Sequence, residues 1–237
     1  MTRATPDPRR RLAVALDVDD LVAAMRLARR LGPWFGVAKI GLELFAAAGP
    51  DAVTALSDAG YDVFLDLKLH DIPTTVRRAA RVAGGLGVAY ATVHVQGGAD
   101  MVAAAVEGMA AGADAAGVGA PCVLGVTVLT SDRDATAELL AQRAGLAAAA
   151  GCGGVVCAAG DLAAVRRAAP GLCTVVPGIR LGGDDVHDQA RAATPGAAVA
   201  GGADMLVVGR AVTAADDPEA AAQMIAAQVA AAMAALA

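Results

Sequence analysis

A chain of 237 residues, 57% hydrophobic but only 3% aromatic, must build its core from Ala, Val and Leu, which suits tight helices over short parallel strands. Its net charge of −5 and scattered basic residues exclude a nucleic-acid partner held on a clustered cationic face, so an anionic ligand needs a local site.

Residues 1–11 contain Pro6, Pro8 and the charges Arg9 to Arg11, with no apolar leader, and are expected to form a flexible segment. Apolar runs and helical patterns then alternate. In order, the expected pairs are Leu12–Leu16 with Leu21–Leu31, Gly36–Ile40 with Glu43–Ala59, Val63–Lys68 with Thr75–Gly84, and Ala91–Val95 with Asp100–Ala111. Cys122–Val128 follows with Ala135–Ala149, Gly154–Cys157 with Asp161–Ala168, Thr174–Val176 with Thr194–Ala200, and Met205–Val208 with Pro218–Leu236. Eight such units without a linker predict a single α/β domain over 12–237, a (β/α)₈ TIM barrel; a doubly wound open sheet is the alternative. The Ala-rich end, interrupted by Gln223 and Gln228, reads as a surface helix, not a membrane span. Cys122, Cys152, Cys157 and Cys173 form no Cys-x-x-Cys pair and read as buried free thiols of a cytoplasmic protein. A metal site on Cys152 and Cys157 is the weaker alternative.

A barrel carries its active site at the C-terminal ends of its strands. The polar residues there are Asp17, Lys39, Asp66, Lys68, His94, Gln96, Thr127, Thr130, Arg180 and Arg210, with Gly209 beside the last. Of 19 basic residues only two are lysines, Lys39 and Lys68, and both end predicted strands. That placement asks for a compact ammonium that a planar guanidinium cannot replace; the bland reading is two surface ion pairs. Asp66 and Lys68 are two apart on a strand and should share a face, with Asp71 in the loop beyond. Two carboxylates beside one lysine favour its charged form, whereas imine chemistry needs a neutral amine. Lys68 therefore reads as an electrostatic stabiliser and proton donor. No Gly-x-Gly-x-x-Gly follows the first strand and no His cluster has metal spacing, so no cofactor is expected.

The run Asp66-Leu67-Lys68-Leu69-His70-Asp71-Ile72-Pro73-Thr74-Thr75-Val76 closely resembles the signature of orotidine 5'-phosphate decarboxylases. The likeness spans nearly the whole chain, through Leu16-Asp17-Val18, Ala38-Lys39-Ile40-Gly41, Val126 to Ser131, Val176 to Arg180 and Val207 to Val212. It implies a barrel that converts orotidine 5'-phosphate to UMP and CO₂ in pyrimidine biosynthesis. It also implies a charge network of Lys39, Asp66, Lys68 and Asp71 under the reacting carbon, with Asp17 and Lys39 on ribose hydroxyls. By the same likeness Ile72 and Thr75 enclose the ligand, Thr130 touches the nucleotide, and Arg180, Gln189, Gly209 and Arg210 hold the phosphate. Asp71, Ile72 and Thr75 would come from a second subunit, which implies a homodimer with shared sites.

Barrel logic independently favours phosphate at the loops after strands seven and eight, near Gly209 and Arg210. The segment between Arg180 and Gly202, with glycine pairs at both ends, is a candidate lid. His70, His94, His187, Trp34, Tyr61 and Tyr90 read as packing, interface or solvated residues. A hexulose-phosphate synthase would share Asp-x-Lys-x-x-Asp but use Mg²⁺, and the Ile72-Pro73 that follows argues against it. A non-catalytic nucleotide-binding module would not need a lysine between two enclosed carboxylates.

Overall fold

The computed structural model describes residues 7–129, 135–181 and 193–236. The strands are β1 (Leu12–Ala15), β2 (Val37–Ile40), β3 (Asp62–Leu69), β4 (Tyr90–His94), β5 (Cys122–Val126), β6 (Gly154–Val156), β7 (Cys173–Val176) and β8 (Met205–Val208). They pair in sequence order, all parallel, and β8 closes onto β1. The chain is thus a (β/α)₈ barrel, and the open-sheet alternative falls.

The two-residue period of a strand explains the layering. Ala13 and Ala15 point into the barrel with Val37, Phe64, Leu124, Val175, Met205 and Val207. Leu12, Val14 and Leu16 point outward into the larger core between strands and helices. Both faces are buried, so the strands read as continuous apolar runs rather than alternating ones.

The helices are α1 (Leu21–Leu31), α2 (Leu42–Ala48), α3 (Pro50–Asp58), α4 (Pro73–Gly84), α5 (Ala99–Ala116), α6 (Ala137–Ala149), α7 (Leu162–Ala168), α8 (Pro195–Ala200), α9 (Arg210–Thr213) and α10 (Pro218–Ala235). Several start where short polar side chains satisfy free amides. Asp20 accepts from the Val22 and Ala23 N–H groups, and Asp217 from those of Glu219 and Ala220. The single helix expected over Glu43–Ala59 is two, because Gly49 takes φ +57° and Pro50 starts afresh. The short α9 was not legible as a helix. Within the segment 1–11, Pro8–Arg11 forms a 3₁₀ turn, and its Arg9 carbonyl accepts the Gly36 N–H at 2.8 Å. No helix among the described residues is long and apolar enough to cross a membrane.

One irregularity bears on function. Strands β3 and β4 pair Leu65 with Ala91 and then Leu69 with Val93, so Asp66-Leu67-Lys68 stands opposite Thr92 alone. His70, Asp71 and Ile72 join the end of β3 to α4, which is held by very close packing against α5. A Cβ at Gly112 would collide with the Arg81 carbonyl, and one at Gly84 with the Met109 carbonyl. Gly112→Ala should therefore lower stability by about 1–3 kcal/mol, the scale of overpacking a filled contact. Gly145→Ala meets nothing within 4 Å inside α6, and should be neutral or stabilising by about 0.5–1 kcal/mol. Chemical denaturation of both variants checks the contrast; equal loss in the two would refute the packing argument.

Candidate active site

Because all eight strands run parallel, their C-terminal ends converge on one rim. A cavity of about 500 Å³ opens there, floored by Ala15, Phe64 and Val207. Asp17 follows β1, Lys39 lies one residue before the end of β2, Asp66 and Lys68 stand on β3, and Arg180, Gly209 and Arg210 also line the cavity. Residues drawn from positions 17 to 210 thus face one space of a size suited to a small-molecule ligand.

The charged residues form a chain of alternating sign. Lys39 Nζ lies 2.9 Å from Asp17 Oδ1 and 3.7 Å from Asp66 Oδ2, and Lys68 Nζ lies 2.8 Å from the same Asp66 Oδ2. The side chains of Lys39 and Asp66 are only 9% and 13% exposed, while Lys68 is 33% and Asp17 56% exposed. The inner pair is thus shielded from water, and the two ends of the chain reach the opening. Gly41 makes room for it: a Cβ there would sit 2.8 Å from Asp17 Oδ1 and 3.1 Å from Lys39 Nζ.

Regular alternation predicts that Asp66 and Lys68 share a face. They do meet, but by another route. Lys68 sits at φ +50°, the only non-glycine residue with positive φ among the described residues. That conformation costs a side-chain-bearing residue about 1–2 kcal/mol, and such strain tends to gather at functional sites. Within the bulge the Lys68 N–H donates to Thr92 Oγ1 at 2.9 Å, and Thr92 Oγ1 donates to Asp66 Oδ1 at 3.0 Å. Thr92 was missed in the sequence; its only signal there is a hydroxyl in an apolar strand.

The structure does not bring every expected residue together. Asp71, Ile72 and Thr75 lie exposed at the start of α4 and do not line their own chain's cavity. Ile72 is 66% exposed, and the Asp71 carboxylate accepts the Ile72 N–H at 2.6 Å. Thr130, Gln189, His187 and most of the expected lid lie outside the described residues. Arg180 is buried and donates from Nη1 to the Ile179 carbonyl, while its N–H meets the Ala193 carbonyl at 3.0 Å. Arg210 opens α9 at the surface, with Gly209 before it. Leu42 and Leu129, both exposed, also border the cavity and carried no chemical signal in the sequence.

His70 and His94 do not line the cavity. Their rings lie with centroids 5.3 Å apart, tilted by 33°. Burial, then the charges of His70, Arg143 and Lys68, push the His94 pKa down. The four cysteines are free thiols; burial raises Cys152 to about 12. Among the described residues no group of three or more His, Cys, Asp or Glu is placed to hold a metal ion, and the pairing of Cys152 with Cys157 as ligands gains no support.

Chemically, the site offers a partly exposed ammonium fixed by a carboxylate that a second ammonium also contacts. It places positive charge at one point and negative charge beside it.

Comparison with known proteins agrees. Residues 10–225 match the family described as "Orotidine 5'-phosphate decarboxylase / HUMPS family". The orotidine 5'-phosphate decarboxylase of Anaeromyxobacter sp. (strain K) is 50% identical over 232 residues, covering 93% of this chain and 98% of that protein. That of Halorhodospira halophila (strain DSM 244 / SL1) is 48% identical over 233 residues, covering 94% and 97%. The crystal structure of the Lactobacillus acidophilus enzyme of the same name superposes with a TM-score of 0.79 at 35% identity, over 93% of this chain and 99% of that one. Fold, motif and likeness converge, and the chain belongs to the orotidine 5'-phosphate decarboxylase / HUMPS family.

Proposed function

We propose that this chain decarboxylates orotidine 5'-phosphate to UMP and CO₂ in pyrimidine nucleotide biosynthesis, and does so in the cytoplasm. The observation that carries the reading is the alternating run Asp17, Lys39, Asp66 and Lys68 in a cavity that also holds Arg180 and Arg210. The hexulose-phosphate synthase reading is disfavoured by Ile72-Pro73 after Asp71 and by close relatives named as decarboxylases.

In this reading the bond from C6 of the pyrimidine to its carboxylate breaks and CO₂ leaves. The electron pair stays on C6, in the ring plane, where the π system cannot spread it. Lys68 stabilises that charge and then gives C6 a proton, and solvent restores the ammonium. A charge about 4 Å away contributes roughly 4 kcal/mol at an effective dielectric near 20, against the roughly 8–23 kcal/mol that enzymes supply. Lys68 alone is therefore insufficient, and fixing the ring through the phosphate supplies part of the rest. Arg180, Gly209 and Arg210 hold that phosphate, with Gln189; Asp17 and Lys39 take the ribose hydroxyls, and Thr130 the nucleotide. Asp71, Ile72 and Thr75 serve the cavity of a second copy of the chain, which accounts for their exposure in a single chain.

The direct test is conversion of orotidine 5'-phosphate to UMP by purified protein dialysed against a strong chelator. Full activity is expected. No UMP would overturn the function, and activity restored only by Mg²⁺ or Zn²⁺ would overturn the cofactor-free mechanism.

Lys68→Ala should nearly abolish turnover while UMP still binds. A variant keeping about a tenth of the rate, roughly 1.4 kcal/mol of barrier, would remove Lys68 from its role.

Sharing of the site is tested by mixing inactive Lys68→Ala and Asp71→Ala dimers. In a two-fold dimer one site of each mixed pair receives both substitutions and the other neither. Random exchange of equal amounts should restore roughly a quarter of wild-type activity, since about half the dimers are mixed. Verified exchange without recovery would place Asp71 in its own chain's site.

A further inference from the structure

We infer that Thr92 is a positioning residue for the reaction, acting through Asp66 and the backbone of Lys68. The inference rests on the decarboxylase reading above, because it assigns to Thr92 the task of holding the lysine that reading makes central.

The bulge creates the need. Between the Leu65–Ala91 and Leu69–Val93 pairs, three residues of β3 face one residue of β4, so the regular backbone ladder is interrupted. The Lys68 N–H finds a side-chain acceptor instead, Thr92 Oγ1 at 2.9 Å. A hydroxyl has one proton to give. With its oxygen accepting from Lys68, that proton goes to the neighbouring carboxylate, Asp66 Oδ1 at 3.0 Å. Thr92 is 1% exposed, so water does not compete for either bond.

These two bonds orient the site. Holding Oδ1 of Asp66 turns Oδ2 toward the lysines, at 2.8 Å from Lys68 Nζ and 3.7 Å from Lys39 Nζ. Holding the Lys68 N–H stabilises the φ +50° conformation from which this ammonium reaches Asp66. One hydroxyl thus governs both partners of the central ion pair, although Thr92 does not line the cavity. A purely packing role would be met by any side chain of the same shape; this role needs the oxygen.

The test compares Thr92→Val, which keeps the shape, with Thr92→Ser, which keeps the hydroxyl, and with Thr92→Ala should the valine variant fold poorly. Thr92→Val should lower kcat by about 30-fold, the scale of losing a hydrogen bond to an ionised group, while KM moves by less than about 3-fold. Thr92→Ser should stay within about 3-fold of wild type in both. Added to Asp66→Asn, Thr92→Val should cost less than about 3-fold more, because the two act on one carboxylate. Thr92→Val with wild-type kcat overturns the inference and leaves the decarboxylase reading standing. So does equal loss in Thr92→Val and Thr92→Ser with matching drops in Tm. If only Thr92→Ala folds, wild-type kcat in that variant overturns it equally. A wild-type chain that forms no UMP removes the underlying reading and this inference together.

Discussion

Asp66 is a nearly buried carboxylate shared by two ammonium groups, and the site is arranged around it. A buried anion is costly unless it is paired and hydrogen-bonded. Here one oxygen faces both lysines and the other accepts from Thr92, so both are engaged. Removing either lysine would leave negative charge poorly compensated. The remaining structure works to keep this cluster together: parallel strands bring β2 and β3 side by side, the bulge turns Lys68 inward, and Gly41 leaves space for Asp17.

The barrel was legible because its signal is periodic and redundant. Eight apolar runs, buried on both faces, alternate with helical patterns, and the observed strands differ from the expected ones by a residue or two at their ends. What failed was local. Gly49-Pro50 broke a helix that apolar spacing carried straight through, and α9 is too short to show a period. The turn at Pro8–Arg11 has a local cap, the Asp7 carboxylate that accepts the Arg9 N–H, and a tertiary tie to Gly36 that apolar spacing does not announce.

The site divides in the same way. Lys39, Asp66 and Lys68 stood out because charge at the end of a buried strand needs a reason, and Asp17, Arg180 and Arg210 by the same logic. Thr92 did not, since a β-branched residue is ordinary in a strand. Its meaning comes from a bulge on the neighbouring strand, which sequence spacing alone read as regular. Asp71, Ile72 and Thr75 show a different limit. Their motif is plain in the sequence, yet a single chain leaves them facing outward, and the role given to them rests on the proposed second copy.

The restriction of lysine to two positions has a practical side. The side-chain primary amines of this protein, Lys39 and Lys68, both lie in the cavity, and every other side-chain cation outside histidine is a guanidinium. Reagents that acylate or reductively alkylate amines therefore have few places to go beyond the chain's own α-amino group. Lys68, the more accessible of the two, would be modified ahead of the enclosed Lys39. For this molecule amine chemistry becomes a label for the cavity rather than for the surface. Coupling it to a support or dye is safer through its N-terminus or an introduced thiol than through conventional lysine conjugation.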